Sequence, residues 1–153
     1  MRTSVTFAYT ASDGSLSSSS TASLDITPVN DAPVAHPVTL TAIAEDSGAR
    51  TITAAELLTG VTDVDGPTAT ITSLSIQSGL GTLVQQNATT WSYTPASNDD
   101  TSVTFAYTAS DGSLSSSSTA SLDITPVNDA PVATPVTLTA IAEDSGTRVI
   151  TSA

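Results

Sequence analysis

Apolar residues alternate with small polar residues along several short stretches of this chain. In residues 103–107, Val, Phe and Tyr alternate with Thr and Ala, and Leu122 and Ile124 flank Asp123. A period of two sends neighbouring side chains to opposite faces of a strand, so each stretch predicts a half-buried β-strand. The other candidates are rich in Thr, Val, Ile or aromatic residues, and they comprise 37–43, 50–53, 68–77, 82–86 and the stretch around Trp91 and Tyr93.

Turn-forming residues separate the predicted strands. Gly, Pro, Asp and Ser favour chain reversal, and they cluster at 46–48, 65–67, 79–81, 95–100 and 111–112. Only the Ala-Ala-Glu-Leu-Leu stretch at 54–58 has a helical composition, and its length allows a single turn. The pattern therefore predicts an all-β fold, an antiparallel Greek-key β-sandwich of about seven strands with cadherin-like or immunoglobulin-like build.

The chain repeats itself with an offset of 98 residues, so that 3–35 recurs unchanged as 101–133. This period is too long for a solenoid unit and suits one small domain, which indicates part of a tandem array. We expect the end of one repeat at 1–29, a complete repeat at 30–127 and the start of another repeat at 128–153.

Residues 56–100 occur once, whereas the segments on either side of them occur twice. This single block can close a sandwich in chain order, with 30–55 and 101–127. It can also use 3–29 and 128–153, taken from the same chain or from another. We expect the colinear arrangement, because it keeps the connections short. The remaining fragments then fray, dock on the central domain or swap between chains, and swapping would give a homo-oligomer.

The charge is strongly one-sided, with 15 acidic and 3 basic residues and a net charge of −12. Such a surface repels nucleic acid and anionic lipid and attracts metal cations. No apolar stretch approaches the ~20 residues of a membrane span, so no membrane insertion is expected. The chain has no cysteine, and its single histidine, His36, is Thr134 in the second copy. Because no Ser-His-Asp or Cys-His set can be assembled, we expect no enzymatic activity.

Most carboxylates gather in the predicted loops. Loops at one end of a sandwich lie close together, and clustered carboxylates repel one another unless a cation lies between them. Calcium takes six to eight oxygen ligands in irregular geometry and suits such loops. The alternative is that the Asp-Gly pairs only form turns. The acidic loops are 45–46, 63–65, 99–100, 111–112 and the joint 128–129, which repeats 30–31.

The order of these motifs resembles that of cadherin repeats. An Asp-Val-Asp-Gly loop at 63–66 precedes an Ala-Ser-Asp-Gly turn at 109–112, and Val-Asn-Asp-Ala-Pro follows at 127–131. The chain is similar to the bacterial cadherin-like repeats (VCBS and RTX-type) of very large secreted or surface adhesins. The resemblance implies calcium-dependent sandwiches joined end to end, with Ca²⁺ clamped between neighbouring repeats of the same chain.

Carried over by position, the resemblance implies a group of calcium ligands at each end, or pole, of the sandwich. The upper group comprises Asp63, Asp65 and Asp111 with the linker residues Asn30 and Asp31. The lower group comprises Glu45 and either Asp99 or Asp100, with the joint residues Asn128 and Asp129. Pro126 stands at the first Asp position of the cadherin joint, so we expect fewer ions per joint than in cadherins.

These features predict a non-enzymatic, extracellular, calcium-binding repeat that acts as a rigid spacer or adhesion module of a large bacterial surface or secreted protein. Two alternatives stay open. One is a ligand- or glycan-binding accessory domain of a secreted enzyme, and the other is an engineered repeat that assembles by strand swapping. Trp91 could stack on a sugar, but its alternation with Tyr93 favours a core position.

Overall fold

The computed structural model describes residues 3–66 and 69–151. Pro67 and Thr68, where the predicted turn 65–67 ends and the predicted strand 68–77 begins, lie outside the described residues. The elements in chain order are β1 (Thr3–Ser12), β2 (Ser17–Ile26), β3 (Val34–Ala35), β4 (Val38–Ala44), β5 (Arg50–Thr53), α1 (Ala54–Leu58), β6 (Val61–Thr62), β7 (Thr70–Ser78), β8 (Thr82–Asn87), β9 (Thr90–Thr94), β10 (Val103–Ser110) and β11 (Ser115–Thr125).

Two main sheets form the sandwich, with the strand orders β4-β11-β10-β7 and β5-β9-β8. The chain passes from one sheet to the other after β4, β5, β7 and β9, which gives the Greek-key connection. Tyr93 of β9 and Phe105 of β10 meet edge to face across the layers, with ring centroids 5.2 Å apart. The predicted all-β sandwich is confirmed. Its seven longer strands overlap the predicted stretches, whereas the two-residue pair β3–β6 is too short to produce a sequence pattern.

The alternation along β10 is also its burial pattern. Val103 and Phe105 are fully buried and Tyr107 is 1% exposed, while the residues between them are half-buried. Leu122 of β11 is fully buried beside them, and Trp91 of β9 is only 2% exposed. The core position expected for Trp91 is therefore confirmed, and the sandwich is closed by aromatic and aliphatic side chains from both sheets.

Helix α1 forms where a capping box starts one helical turn. The Glu56 N–H donates to the Thr53 hydroxyl at 3.3 Å, and the Thr53 N–H donates to the Glu56 carboxylate at 2.8 Å. Arg50 also donates to Glu56 at 2.8 Å, and Leu57 is fully buried. The single helical turn predicted at 54–58 is confirmed, and it anchors the end of β5 on the core.

The sandwich closes in chain order. β4 lies parallel to β11, with Leu40 opposite Leu122, and β10 pairs with β7 of the block that occurs once. A parallel strand beside β11 extends the first sheet on one edge while β7 extends it on the other. The strands of 30–55 and 101–127 thus enclose that block, which is the colinear arrangement.

The N-terminal strands stand outside these sheets. β1 and β2 form a separate antiparallel hairpin with a continuous register from Thr3↔Ile26 to Ser12↔Ser17. All of their residues are exposed, including the aromatic residues of β1. After β11, residues 126–151 are exposed and contain neither strand nor helix in the range that the structure describes.

Candidate metal sites at the two poles

Three segments meet at the upper pole of the sandwich. The linker before β3 carries Asn30 and Asp31, the β6–β7 loop carries Asp63 and Asp65, and the β10–β11 turn carries Asp111. The pairing of β3 with β6 holds the linker beside the β6–β7 loop. The five residues that the resemblance implied as upper ligands therefore lie on neighbouring loops.

Hydrogen bonds attach the linker to both loops. Asn30 Nδ2 donates to Asp111 Oδ2 at 2.7 Å, and the Asp31 N–H donates to Asp65 Oδ2 at 2.6 Å. Within the β6–β7 loop, the Asp65 N–H donates to Asp63 Oδ1 at 2.9 Å. The contacts bring residues far apart in sequence to one end of the sandwich.

The two carboxylate oxygens of Asp111 have different hydrogen-bond partners. Its Oδ1 accepts the N–H groups of Ser113 at 2.6 Å and Leu114 at 2.7 Å, which builds the turn, while Oδ2 faces Asn30. The hydrogen bonds from Leu114, Asn30 and Ser113, in decreasing order of effect, hold the pKa of Asp111 below its ordinary value. Turn formation therefore accounts for only one of the two oxygens.

Asp63 also has one oxygen that the turn does not use. Its Oδ2 is buried and has no hydrogen-bond partner among the residues that the structure describes. A buried acceptor without a partner is costly, and the cost is larger for an ionised group. A cation at the upper pole would provide the missing interaction.

Glu45 is the buried acid of the lower pole. It lies after β4 and is 7% exposed. Its backbone N–H donates to the carbonyl oxygen of Thr125 at 3.0 Å, and its Oε1 accepts the N–H of Val127 at 2.7 Å. These two bonds hold the end of β11 and the start of the segment that follows it against the β4–β5 turn.

Three carboxylates converge at this point. One oxygen from each of Glu45, Asp46 and Asp129 lies within 4.8 Å of the other two, and Asp46 and Asp129 are exposed. Within residues 3–66 and 69–151, no other group of three His, Cys, Asp or Glu side chains is this close. Like charges at such separations repel one another, and a hard cation between them would relieve the repulsion.

Asp99 and Asp100, which the resemblance placed in the lower group, do not belong to this cluster. Asp99 Oδ1 accepts the hydroxyl of Thr101 at 2.6 Å, and Asp100 is exposed. Burial, and to a smaller extent the charge of Asp99, raises the pKa of Tyr93. Asp99 thus interacts through Oδ1 within its own loop, while its Oδ2 is buried and has no hydrogen-bond partner among the described residues.

The joint contributes Asp129 to the cluster. The side-chain amide of Asn128 donates to the backbone carbonyl of Asp129, at 3.5 Å. Asp46 was not among the expected ligands, although its position next to Glu45 in sequence was a usable signal. Glu45 and Asp46 are adjacent in the turn after β4. Both can face one cation because Asp129 of the joint lies beside this turn.

The donor atoms suit a hard cation. Both poles present carboxylate, amide and carbonyl oxygens, and the chain has no cysteine and one histidine. Oxygen-only sets select calcium or magnesium over zinc or copper, and flexible loop geometry favours calcium. The residues present therefore fit calcium at the lower pole through Glu45, Asp46 and Asp129, whereas the upper pole offers the unpartnered Asp63 Oδ2 without a cluster of three carboxylates among the described residues.

The two sheets and the acidic poles define a β-sandwich module of the cadherin or immunoglobulin type. A sequence model of the cadherin-like domain family matches residues 29–125, more than half of the chain, and the chain belongs to that family. No curated protein matches the sequence. No helix among the described residues is long and apolar enough to cross a membrane.

Solved structures similar to this chain include an endo-fucoidan hydrolase of glycoside hydrolase family 107, at 22% identity and a TM-score of 0.43. The match covers 82% of this chain and 19% of the hydrolase chain. The titin domains Z1Z2 in complex with telethonin match at 20% identity and a TM-score of 0.31, over 82% of this chain and 62% of theirs. The chain spans about a fifth of the length of the hydrolase, and likeness at these TM-scores carries no argument about function.

Proposed function

We propose that this chain is a non-enzymatic calcium-binding module that stiffens the joints of a repeated β-sandwich protein. The observation that carries the proposal is the convergence of Glu45, Asp46 and Asp129 where the chain leaves the sandwich. Glu45 belongs to the sandwich and Asp129 to the joint, so one cation bound by both would attach the joint to the domain.

The three carboxylates of the lower pole have different roles in the proposed site. Glu45 is held by its bond to the Val127 N–H and presents its carboxylate from a buried position, which limits its motion. Asp46 and Asp129 supply exposed carboxylates that can close on a cation. Calcium, when bound, supplies charge neutralisation and a common ligand for the two segments. Without it, repulsion among the three carboxylates opposes a closed joint.

The setting that we propose is an extracellular repeat of a large bacterial surface or secreted adhesin, of the VCBS or RTX type. Family membership supports it, because cadherin-like domains are usually extracellular and commonly bind calcium. The 98-residue sequence repeat and the net charge of −12 support it as well. In such an array, neighbouring repeats are the partners, and a stiff rod projects whatever binding domain lies at its end.

A glycan-binding accessory domain is the alternative function. Stacking on sugar rings needs exposed aromatic side chains, and Phe7 and Tyr9 are each 53% exposed. However, these residues repeat Phe105 and Tyr107, which form the core, so their exposed surface matches a packing face rather than a sugar platform. The observations therefore favour the calcium-binding spacer.

The test is thermal unfolding with calcium, with magnesium and with chelator. Extracellular calcium modules bind with dissociation constants of about 10⁻⁴–10⁻³ M, so about 10 mM calcium should stabilise the chain by about 1–3 kcal/mol. This corresponds to a rise of several degrees in Tm for a domain of this size. We expect a smaller rise with magnesium, which requires stricter octahedral geometry.

A matched pair of double variants assigns the effect to the lower pole. Glu45→Gln with Asp129→Asn removes two charges from the cluster, and the glutamine keeps an oxygen acceptor for the Val127 N–H. Asp13→Asn with Asp25→Asn removes two charges from the exposed hairpin and serves as the control. The lower-pole variant should lose most of the calcium-dependent rise in Tm and the control should keep it. Equal melting curves with calcium and chelator in the wild-type chain would refute the proposal.

A further inference from the structure

The same strand pair occurs in two environments in this chain. β1 and β2 have the sequence of 101–124, which contains β10 and most of β11. Phe7 and Leu24 are 53% and 55% exposed, whereas their copies Phe105 and Leu122 are fully buried. The face that β1–β2 exposes to solvent therefore has the same residues as the face that β10–β11 buries in the core. The neighbours of β10–β11 show which strands can pack or pair with it.

In the copy, the core face of β10–β11 is buried by the opposite sheet, and the edge of β11 is paired with β4. This strand lies parallel to β11 with Ala120 opposite Val38, Ser121 opposite Thr39 and Leu122 opposite Leu40. Leu40 is 4% exposed in this position. The pairing gives the backbone groups at the edge of β11 hydrogen-bond partners, and it places Leu40 beside the core residue Leu122.

A second copy of the β4 sequence is present in the C-terminal segment. Residues 136–142 read Val-Thr-Leu-Thr-Ala-Ile-Ala, identical to 38–44. They form no strand, and Val136, Leu138 and Ile141 are 77%, 47% and 55% exposed. The chain thus exposes both halves of a strand pairing that it buries elsewhere.

We propose that residues 136–142 of one chain add to β2 of a second copy as a parallel strand, with Leu138 opposite Leu24 and Thr137 opposite Ser23. The register is the one that β4 adopts on β11. An isolated two-stranded hairpin is marginally stable in water, and a third strand with an apolar face stabilises it. The addition pairs the free edge of β2 and places Leu138 beside Leu24 on the same face of the extended sheet.

A second copy is favoured over the same chain because the structure of the single chain pairs β2 with β1 alone and leaves residues 136–142 without a strand partner. The segment leaves the sandwich at the lower pole, where Val127 is bonded to Glu45. The hairpin is joined to the upper pole through Asn30. The eight residues of β10 separate the poles by about 27 Å. The two segments therefore leave opposite ends of the sandwich. The contact joins different surfaces of the two chains, so it adds copies head to tail.

Cysteine cross-linking tests the register, because the chain has no cysteine of its own. Chains carrying Ser23→Cys are mixed with chains carrying Thr137→Cys and oxidised. Cα atoms of paired residues on adjacent strands lie about 4.8 Å apart, within disulfide range. The positive control is a single chain with Thr39→Cys and Ser121→Cys. These residues are the sequence copies of Thr137 and Ser23, and they are paired on β4 and β11 of the sandwich.

The expected result is a disulfide-linked heterodimer whose yield rises with concentration. It should be lost when Leu138→Asp is added to the Thr137→Cys chain, since the charge would face the core side of the new strand. Cross-links only between two Ser23→Cys chains would mean that hairpins pack on each other, and would overturn the proposal. So would a disulfide that closes within a monomer of a Ser23→Cys/Thr137→Cys chain, or the absence of heterodimer when the control pair oxidises fully. None of these outcomes depends on calcium, so the test is independent of the proposed function.

Discussion

The hairpin β1–β2 and the strand pair β10–β11 have the same sequence and the same local structure, but only the second belongs to the core. Phe7 lies opposite Ala22 as Phe105 lies opposite Ala120. The turns also agree, with φ of 97° at Gly14 and 98° at the equivalent glycine of the second turn. Local pairing is thus set by the local sequence, whereas burial is set by the strands that pack on it.

The first prediction compares the two phenylalanines. Phe105→Ala should lower the free energy of unfolding by about 3–5 kcal/mol, because it removes a fully buried ring that contacts Tyr93 across the sandwich. Phe7→Ala should change it by less than about 0.5 kcal/mol, since the ring is half exposed and packs on no other sheet. Denaturant unfolding with equal m-values measures both changes.

The double variant shows whether the two hairpins exchange places. When β10–β11 is the fixed core pair, the Phe7→Ala and Phe105→Ala effects add. The outcome differs if β1–β2, of the same or another chain, can take the place of β10–β11 in the sandwich. Phe105→Ala alone then lowers the free energy of unfolding only slightly, and the double variant lowers it several times more. Equal small losses in the two single variants would contradict the assignment of β10–β11 as the core pair.

Much of the sandwich could be predicted because its strands carry a period of two and its turns carry Gly, Pro and Asp. The alternation of 103–107 predicted which side chains point inward, and Trp91 followed the same rule. The same alternation in 5–9 would predict burial there too, yet those side chains are exposed. No property of the local sequence separates the two cases, because the difference lies in the contacts made by residues 30–100.

The candidate sites were predictable to different degrees at the two poles. The upper residues follow from the order of short motifs, and hydrogen bonds such as Asn30 to Asp111 connect them. At the lower pole, a ligand role for Asp99 or Asp100 stays a prediction, while Glu45 and Asp129 lie close together with Asp46 as the third carboxylate. That outcome depends on how the joint folds back after β11, which is a long-range contact with no sequence periodicity.

The second prediction compares Asp111 with Asp13, which occupies the same turn in the hairpin. Asp13 Oδ1 accepts the N–H groups of Ser15 and Leu16, as Asp111 Oδ1 does for the equivalent residues. Only Asp111 is bonded to a linker residue, Asn30. Asp111→Asn should therefore remove part of the calcium-dependent stabilisation, out of a total of about 1–3 kcal/mol, and Asp13→Asn should leave it unchanged.

Calcium titrations followed by Tm measure this second difference. Asparagine keeps the oxygen that builds each turn, so both variants retain the turn. At position 111 the substitution also replaces the oxygen that accepts the Asn30 amide, so it removes both the charge and that contact at the upper pole. The comparison fails when the two variants lower the calcium response equally, since the effect then reflects total charge rather than a site at the upper pole.

The third prediction uses the other duplicated segment, in which Arg50 recurs as Arg148. Arg50 donates to Glu56 at 2.8 Å with its side chain 12% exposed, while Arg148 donates to the carbonyl of Thr139 within an exposed segment. Because the side chain of Glu56 is 35% exposed, solvent screens the pair and its contribution stays near 1 kcal/mol. Arg50→Gln should lose about 1 kcal/mol of stability and Arg148→Gln about none, as measured by denaturant midpoints. Equal midpoints for both variants would show that the ion pair is not stabilising.

The fourth and smallest difference is in acidity. Hydrogen bonds from Leu16 and then Ser15 hold the pKa of Asp13 below its ordinary value, and those from Leu114, Asn30 and Ser113 do the same for Asp111. Asn30 is the additional donor, so the pKa of Asp111 should lie below that of Asp13.

Carboxyl-carbon NMR titration in chelator measures both groups in one sample. Asn30→Ala should bring the two titrations together, and coincident curves in the wild-type chain would contradict the contact. A folded-state pKa below the unfolded value gives stability that is present above the unfolded pKa and is lost as pH falls through the folded pKa. Asp111 should therefore destabilise the sandwich in that acidic range, while Asp13, whose hairpin packs on no other sheet, should affect only the hairpin.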